Sequence, residues 1–343
     1  MNLNQMNLGC VKDKPDERDF RFVKAVHWSE LEPIDLRSSC PPVRSQGSIG
    51  ACTAFGCTEL FAFVRKKNKL VNWIPAPLFT YYATRKSLNL ENEDSGASIR
   101  DALKSTVKDG VAMERYWPYD PSKFTENPPE DVWINAEKHQ TLQYFKVNDF
   151  DKSLFLGCLN DGYPFVFGIN LYTSFNSFQT VFSGIVPIPD KEKEKCIGGH
   201  CMMAVGWKKM QQDGVEKEFL IVQNSWGTSW GDHGFCYIPL EYIMTNDTFD
   251  FWTIRLTEEC SEDTEDPIPE PPKPAPEPPK PEPTPEPPAP TPEPPAPTPE
   301  SPKPEVVPEP PVTNDEDQKS IWKKPATYFL IGFIVFLLFF FFA

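Results

Sequence analysis

Residues 46–55 read "QGSIGACTAF", and the fold turns on how they are read. From Cys52 to Lys67 the apolar set Ala54, Cys57, Leu60, Phe61 and Val64 recurs at helical spacing, which predicts a helix beginning at Cys52. A cysteine at a buried helix start is either a small hydrophobe or a nucleophile whose thiol the helix N-terminus acidifies. Gln46, six residues earlier across a glycine-rich bend, suits the second reading, because its carboxamide can aim at the atom that the sulfur attacks. The stretch alone leaves both open.

A cysteine nucleophile needs an imidazole, and four histidines are available: His27, His139, His200 and His233. His27 lies in a polar, proline-broken lead-in, His139 in the polar run "AEKHQT", and His233 in a Gly/Asp turn. His200 stands apart. The run "GGHCMMAVGW" (198–207) sets it at the mouth of an apolar strand, behind two glycines that admit another backbone. An imidazole base also needs a partner on its other nitrogen. "NSWGTSWGDHGF" (224–235) offers the Asn224 carbonyl for that, with Trp226 to shield the bond from water.

Together these three segments resemble the active-site segments of papain-like cysteine proteases. The order matches, with His200 148 residues after Cys52 and Asn224 a further 24 on. "IDLRSSCPPVRSQG" (34–47) and "DGVAMERYWPYD" (109–120) extend the likeness over roughly residues 34–256. The resemblance implies Cys52 as nucleophile, His200 as general base and acid, and Asn224 as its orienter. Gln46, with the Cys52 N–H, would form the oxyanion hole. It further implies Gly96, Gly199 and Trp226 along the substrate cleft, a peptide or protein substrate, and no metal or cofactor.

The implied fold is α+β in two lobes, a helical lobe over about 50–140 and a β-rich lobe over about 141–257. This agrees with the strand-like runs "YPFVFGI" (163–169), "CMMAVGW" (201–207), "EFLIVQN" (218–224) and "FCYIPL" (235–240), and with a helix expected over 97–108. Residues 1–33 read as an extended lead-in outside the domain of 34–257. Relative to the family, Ile49 replaces a usual disulfide cysteine, Thr53 a tryptophan, and Gly199 an Asp or Asn. The short, disulfide-poor pattern is similar to divergent papain-like proteins of bacteria and large DNA viruses. With only 51 residues before Cys52, little or no zymogen control is expected.

Beyond the domain the texture changes. Of 39 prolines, 24 fall between Pro267 and Pro311. Residues 258–325 form an acidic spacer whose proline-rich part is expected to be polyproline II, reaching roughly 145 Å at about 3.1 Å per residue, with docking of SH3- or WW-type partners as a second use. Residues 326–343, "ATYFLIGFIVFLLFFFFA", carry no charge and are long enough for one membrane-spanning helix. Lys323 and Lys324 just before it favour a cytosol-facing, tail-anchored arrangement.

Residues 258–343 hold 17 acidic and 6 basic side chains, so the overall charge of −15 mostly reports the tail. No basic stripe suggests nucleic-acid binding. Nine scattered cysteines, without a secretory leader, point to reduced thiols.

The expected activity is that of a membrane-anchored endopeptidase working through an acyl-thioester. The alternatives are a transpeptidase or exopeptidase, an inactive scaffold displaying the proline-rich tail, and a metal site at Cys196, His200 and Cys201.

Overall fold

The computed structural model describes residues 8–23, 31–147, 150–212 and 214–258. The spacer, the apolar run 326–343 and His27 lie outside them. Among the described residues no helix is long and apolar enough to cross a membrane.

Helix α1 (Cys52–Lys67) is the hub. Fourteen of its 16 residues are buried, too many for a surface helix with one apolar stripe, so it runs through the middle of the molecule. Its last turn carries Arg65, Lys66 and Lys67, which suit the negative end of the helix dipole. Helices α2 (Pro77–Ser87), α3 (Ile99–Lys108) and α4 (Glu130–Glu137) complete the helical lobe. The helix expected from residue 97 starts two residues later, because the Ser98 side chain caps it by accepting from the Asp101 N–H at 3.1 Å. Ala97–Ser98 is left extended and pairs as a strand.

The second half is an antiparallel sheet. In strand order it reads β4 (Thr141–Lys146), β9 (Thr248–Thr257), β5 (Phe165–Tyr172), β6 (Cys196–Gln212), β7 (Val215–Gln223) and β8 (Phe235–Pro239), with β2 (Ile34–Asp35) added on β6. One face packs on helix α5 (Lys152–Asn160) and the Trp226–Trp230 corner, the other on α1 and α3. The opposite side of α1 meets α2 and Trp117. Two apolar layers on one central helix fix where its first residue, Cys52, must lie: where the helical lobe and the sheet meet.

The lead-in departs from expectation. Cys10–Val11 (β1) pairs in parallel with Ala97–Ser98 (β3), and Arg21 bridges to Lys146. Asp13 is buried and anchors the segment. Its N–H donates to Asp250 at 2.5 Å, and its carboxylate accepts from Trp252 Nε1 at 2.9 Å and the Arg100 N–H at 3.1 Å. Arg100 in turn donates to the Lys14 carbonyl and pairs with Asp19. Buried polar groups this well satisfied hold a segment in one place. Residues 8–23 therefore belong to the domain rather than preceding it.

Candidate active site

Strand β6 carries His200 into the space before α1, in register with Ile169 of β5. Strand β7 ends at Gln223 and delivers Asn224 beside it. The Asn224 Oδ1 lies 2.8 Å from His200 Nε2 and also accepts the Ser225 N–H at 2.8 Å, which fixes which way the amide points. The Trp226 ring lies 4.9 Å from the imidazole, centre to centre, and meets Trp230 and Phe175 edge to face. Trp226 is 1% exposed and roofs the His–Asn bond.

Cys52 lies at the start of α1, where the nearby backbone of Cys201, Gly9 and Thr53 offsets part of the effect of burial on its thiol. Cys201, next in sequence after His200, packs in the same buried cluster as Cys52, so β6 brings the histidine to the strand that touches the head of the helix. Gln46 is buried. Its Nε2 donates to the Ile49 carbonyl at 3.0 Å, its Oε1 accepts from Ser225 Oγ at 2.6 Å, and its main chain is held by Ser225 and by the Tyr119 hydroxyl. Ser225 is a residue that sequence reasoning passed over. Only its position after Asn224 hinted that it would touch both Asn224 and Gln46.

Gly96 and Gly199 both pack against the lead-in. A side-chain carbon on Gly96, whose φ is +69°, would stand 2.1 Å from the Gly9 carbonyl oxygen; one on Gly199 would stand 2.3 Å from that of Cys10. Gly9 itself packs on Gly50, leaving no room for a Cβ. The Ala97 N–H donates to Gly9 O at 2.8 Å. Sequence reasoning leaves the cleft open, whereas here residues 8–13 lie in it. The signal for this was thin: a Gly–Cys pair in an otherwise polar stretch.

Burial sets the ionisation. Cys52 and His200 are both fully buried. Desolvation pushes the Cys52 thiol up to about 12 and pulls His200 down to about 4, against the smaller opposing effect of Asn224. The pair therefore rests as neutral thiol and neutral imidazole. The run "CIGGHC", weighed above as a metal site, is spread along β6, with Cys196 exposed and His200 and Cys201 on opposite faces of the strand. Among the described residues no group of three His, Cys, Asp or Glu is placed to hold a metal ion.

A thiol at the head of a central helix and a hydrogen-bonded histidine–asparagine pair at the edge of the sheet are the kinds of group a two-lobed thiol hydrolase uses. The comparisons narrow this. The sequence model of the papain family cysteine proteases matches residues 31–246, and the chain belongs to that family. It is 35% identical over 277 residues to an uncharacterised peptidase C1-like protein of Acanthamoeba polyphaga mimivirus, covering 73% of this chain and 86% of that one. Cysteine proteinase 3 of Dictyostelium discoideum is 27% identical over 244 residues, 68% of this chain and 63% of that protein. Among solved structures, xylellain, a cysteine protease from Xylella fastidiosa, superposes with a TM-score of 0.66 at 30% identity, covering 75% of this chain and 97% of the other. The chain is a papain-family cysteine peptidase with the α+β fold of that family.

Proposed function

We propose that the chain is an endopeptidase in which Cys52 is the nucleophile, His200 the general base and acid, and Asn224 the group that orients the imidazole. The observation that carries this reading is the 2.8 Å contact of His200 Nε2 with Asn224 Oδ1. It commits one ring nitrogen to the asparagine, while Nδ1 has no hydrogen-bond partner among the described residues. With the cleft open and wet, the thiol's proton passes to Nδ1. The Cys52 sulfur then attacks the peptide carbonyl, and the oxyanion takes hydrogen bonds from Gln46 Nε2 and the Cys52 N–H. His200 returns the proton to the leaving amine, and water hydrolyses the thioester. Residues 8–13 must leave the cleft before substrate enters.

We read residues 326–343 as a membrane anchor on the strength of their 18 uncharged residues, and residues 258–325 as the spacer that carries the domain away from the bilayer. A docking role for the prolines is the weaker use, supported by composition alone.

The test is labelling of the full-length chain, under reducing conditions, with an epoxide affinity probe for papain-type thiols, with peptide hydrolysis followed alongside. Labelling and turnover absent in Cys52→Ala and strongly reduced in His200→Ala are the expected result. Equal labelling in wild type and Cys52→Ala sinks the assignment.

A further inference from the structure

A papain-type reaction needs one thiol, yet four gather here. Cys10, Cys52, Cys57 and Cys201 are all buried in one apolar cluster, and none is paired in a disulfide. As noted, they make no metal site. Three belong to the walls, Cys52 and Cys57 on α1 and Cys201 on β6. Cys10 comes from the strand lying in the cleft: it packs in the same cluster as Cys201, and its carbonyl oxygen would stand 2.3 Å from a side-chain carbon on Gly199, two residues before Cys201 on β6. The Cys201 sulfur rests on α1 at Gly56, 3.0 Å from where a Cβ would stand, so only a glycine there leaves it room.

We propose that Cys10 and Cys201 are a redox modification site, forming a reversible disulfide that staples residues 8–13 across the cleft. The link needs the two sulfurs of this one buried cluster to close to the S–S length of about 2.05 Å. The oxidant is a small-molecule disulfide of the glutathione type. While the strand is out of the cleft, the Cys10 thiolate displaces one glutathione thiol and forms a mixed disulfide. When the strand redocks, the Cys201 sulfur loses its proton and attacks the Cys10 sulfur, and the second glutathione leaves as the thiol. Two protein thiols are oxidised by two electrons, and one glutathione disulfide is reduced to two glutathiones.

Burial holds the Cys201 thiol well above its ordinary range, so this second step is slow and the closed, reduced form is not oxidised indiscriminately. The link would join residues 10 and 201, one on the strand that must leave and one beside His200. Reduction would then be the condition for opening. As a control on activity this rests on the peptidase reading; the disulfide itself does not.

The experiment uses the full-length chain carrying Cys52→Ala, incubated with glutathione disulfide or with dithiothreitol. Non-reducing peptide mapping should find Cys10 joined to Cys201, and hydrogen exchange at residues 8–13 should slow by about tenfold or more on oxidation. Dithiothreitol should reverse both, and Cys10→Ser should abolish both. In the chain with Cys52 intact, oxidation should lower epoxide labelling by about tenfold or more, recovering on reduction. Cys10 joined to another cysteine, Cys10 carrying glutathione alone, or a link that leaves exchange at 8–13 unchanged would overturn the proposal. Since the mapping needs no turnover, a missing link leaves the peptidase reading standing. A chain that links yet never labels when reduced overturns the peptidase reading instead.

Discussion

The carbonyl oxygen of Gly9 stands 2.1 Å from the point where a side chain on Gly96 would begin. Gly9 meets Gly50 just as closely on its other side. Two backbones can pass at this distance only when neither carries a Cβ, so the strand fits the cleft through the absence of side chains rather than through grip. The grip is supplied further along, by Asp13 against Asp250, Trp252 and Arg100.

Gly9→Val should therefore open the site without altering its walls. Its Cβ would begin 2.0 Å from the Gly50 carbonyl oxygen, and overpacking of this kind costs about 1–3 kcal/mol. A change of about 1.4 kcal/mol is tenfold in an equilibrium. The open fraction, read as the initial rate of epoxide labelling at Cys52 in reducing buffer, should rise by about tenfold or more. A rate equal to wild type would mean that the strand does not limit access.

His200 sets a second expectation. Its folded value of about 4 lies below the ordinary 6.5, because burial disfavours the imidazolium. Between those values the unfolded chain binds a proton that the folded chain excludes, so this contribution is complete above pH 6.5 and fades as the pH falls toward 4. Its full size is roughly 3 kcal/mol. Urea midpoints of the full-length chain measured between pH 7 and pH 4.5 should fall more steeply for wild type than for His200→Gln. Parallel curves would show that the imidazole is not buried as a neutral group.

Much of this frame was legible in the sequence. The helix predicted from Cys52 to Lys67 ends where expected, since its apolar spacing and terminal basic residues agree with its buried position. The four strand-like runs all fall in the sheet, although "CMMAVGW" lies inside a strand that begins at Cys196. Helix α2 and strands β4 and β9 escaped notice. In "PLFTYYATRKS" the residues are buried all round, so no stripe marks the period. The lead-in escaped for a different reason. Its fit depends on a glycine, a cysteine and a buried aspartate, and composition reads such residues as loop. Ser225 was missed because its role depends on Gln46, 179 residues away in sequence.

Glu59 opposes His200. It lies two turns along α1 from Cys52, and burial pushes its carboxyl up to about 8, with Arg44 and Gln223 offsetting only part of that. Here the folded chain holds a proton that the unfolded chain releases, so stability present below pH 4.5 is lost as the pH rises through 8. Glu59→Gln keeps the shape and removes the titration. It should leave the urea midpoint almost unchanged at pH 5 and stabilise the chain by on the order of 3 kcal/mol at pH 8. Equal shifts at both pH values would contradict a buried, protonated Glu59.

Ser225 joins the two halves of the candidate site. Its N–H donates to Asn224 Oδ1 at 2.8 Å and its hydroxyl to Gln46 Oε1 at 2.6 Å. Ser225→Ala keeps the first bond, which is made by the backbone, and removes the second. The His200–Asn224 pair should then survive, while the Gln46 carboxamide loses the donor that holds its oxygen away from the reacting carbonyl. A buried acceptor left without its donor costs about 1–3 kcal/mol, and a misdirected oxyanion donor is felt in the transition state rather than in substrate binding. In chain opened by Gly9→Val, the added change should lower kcat by about tenfold to a hundredfold and leave KM within about twofold. Epoxide labelling at Cys52, which depends on the thiolate rather than on an oxyanion, should fall far less than turnover. If labelling and kcat drop together, Ser225 acts on Cys52 or His200 and not through Gln46.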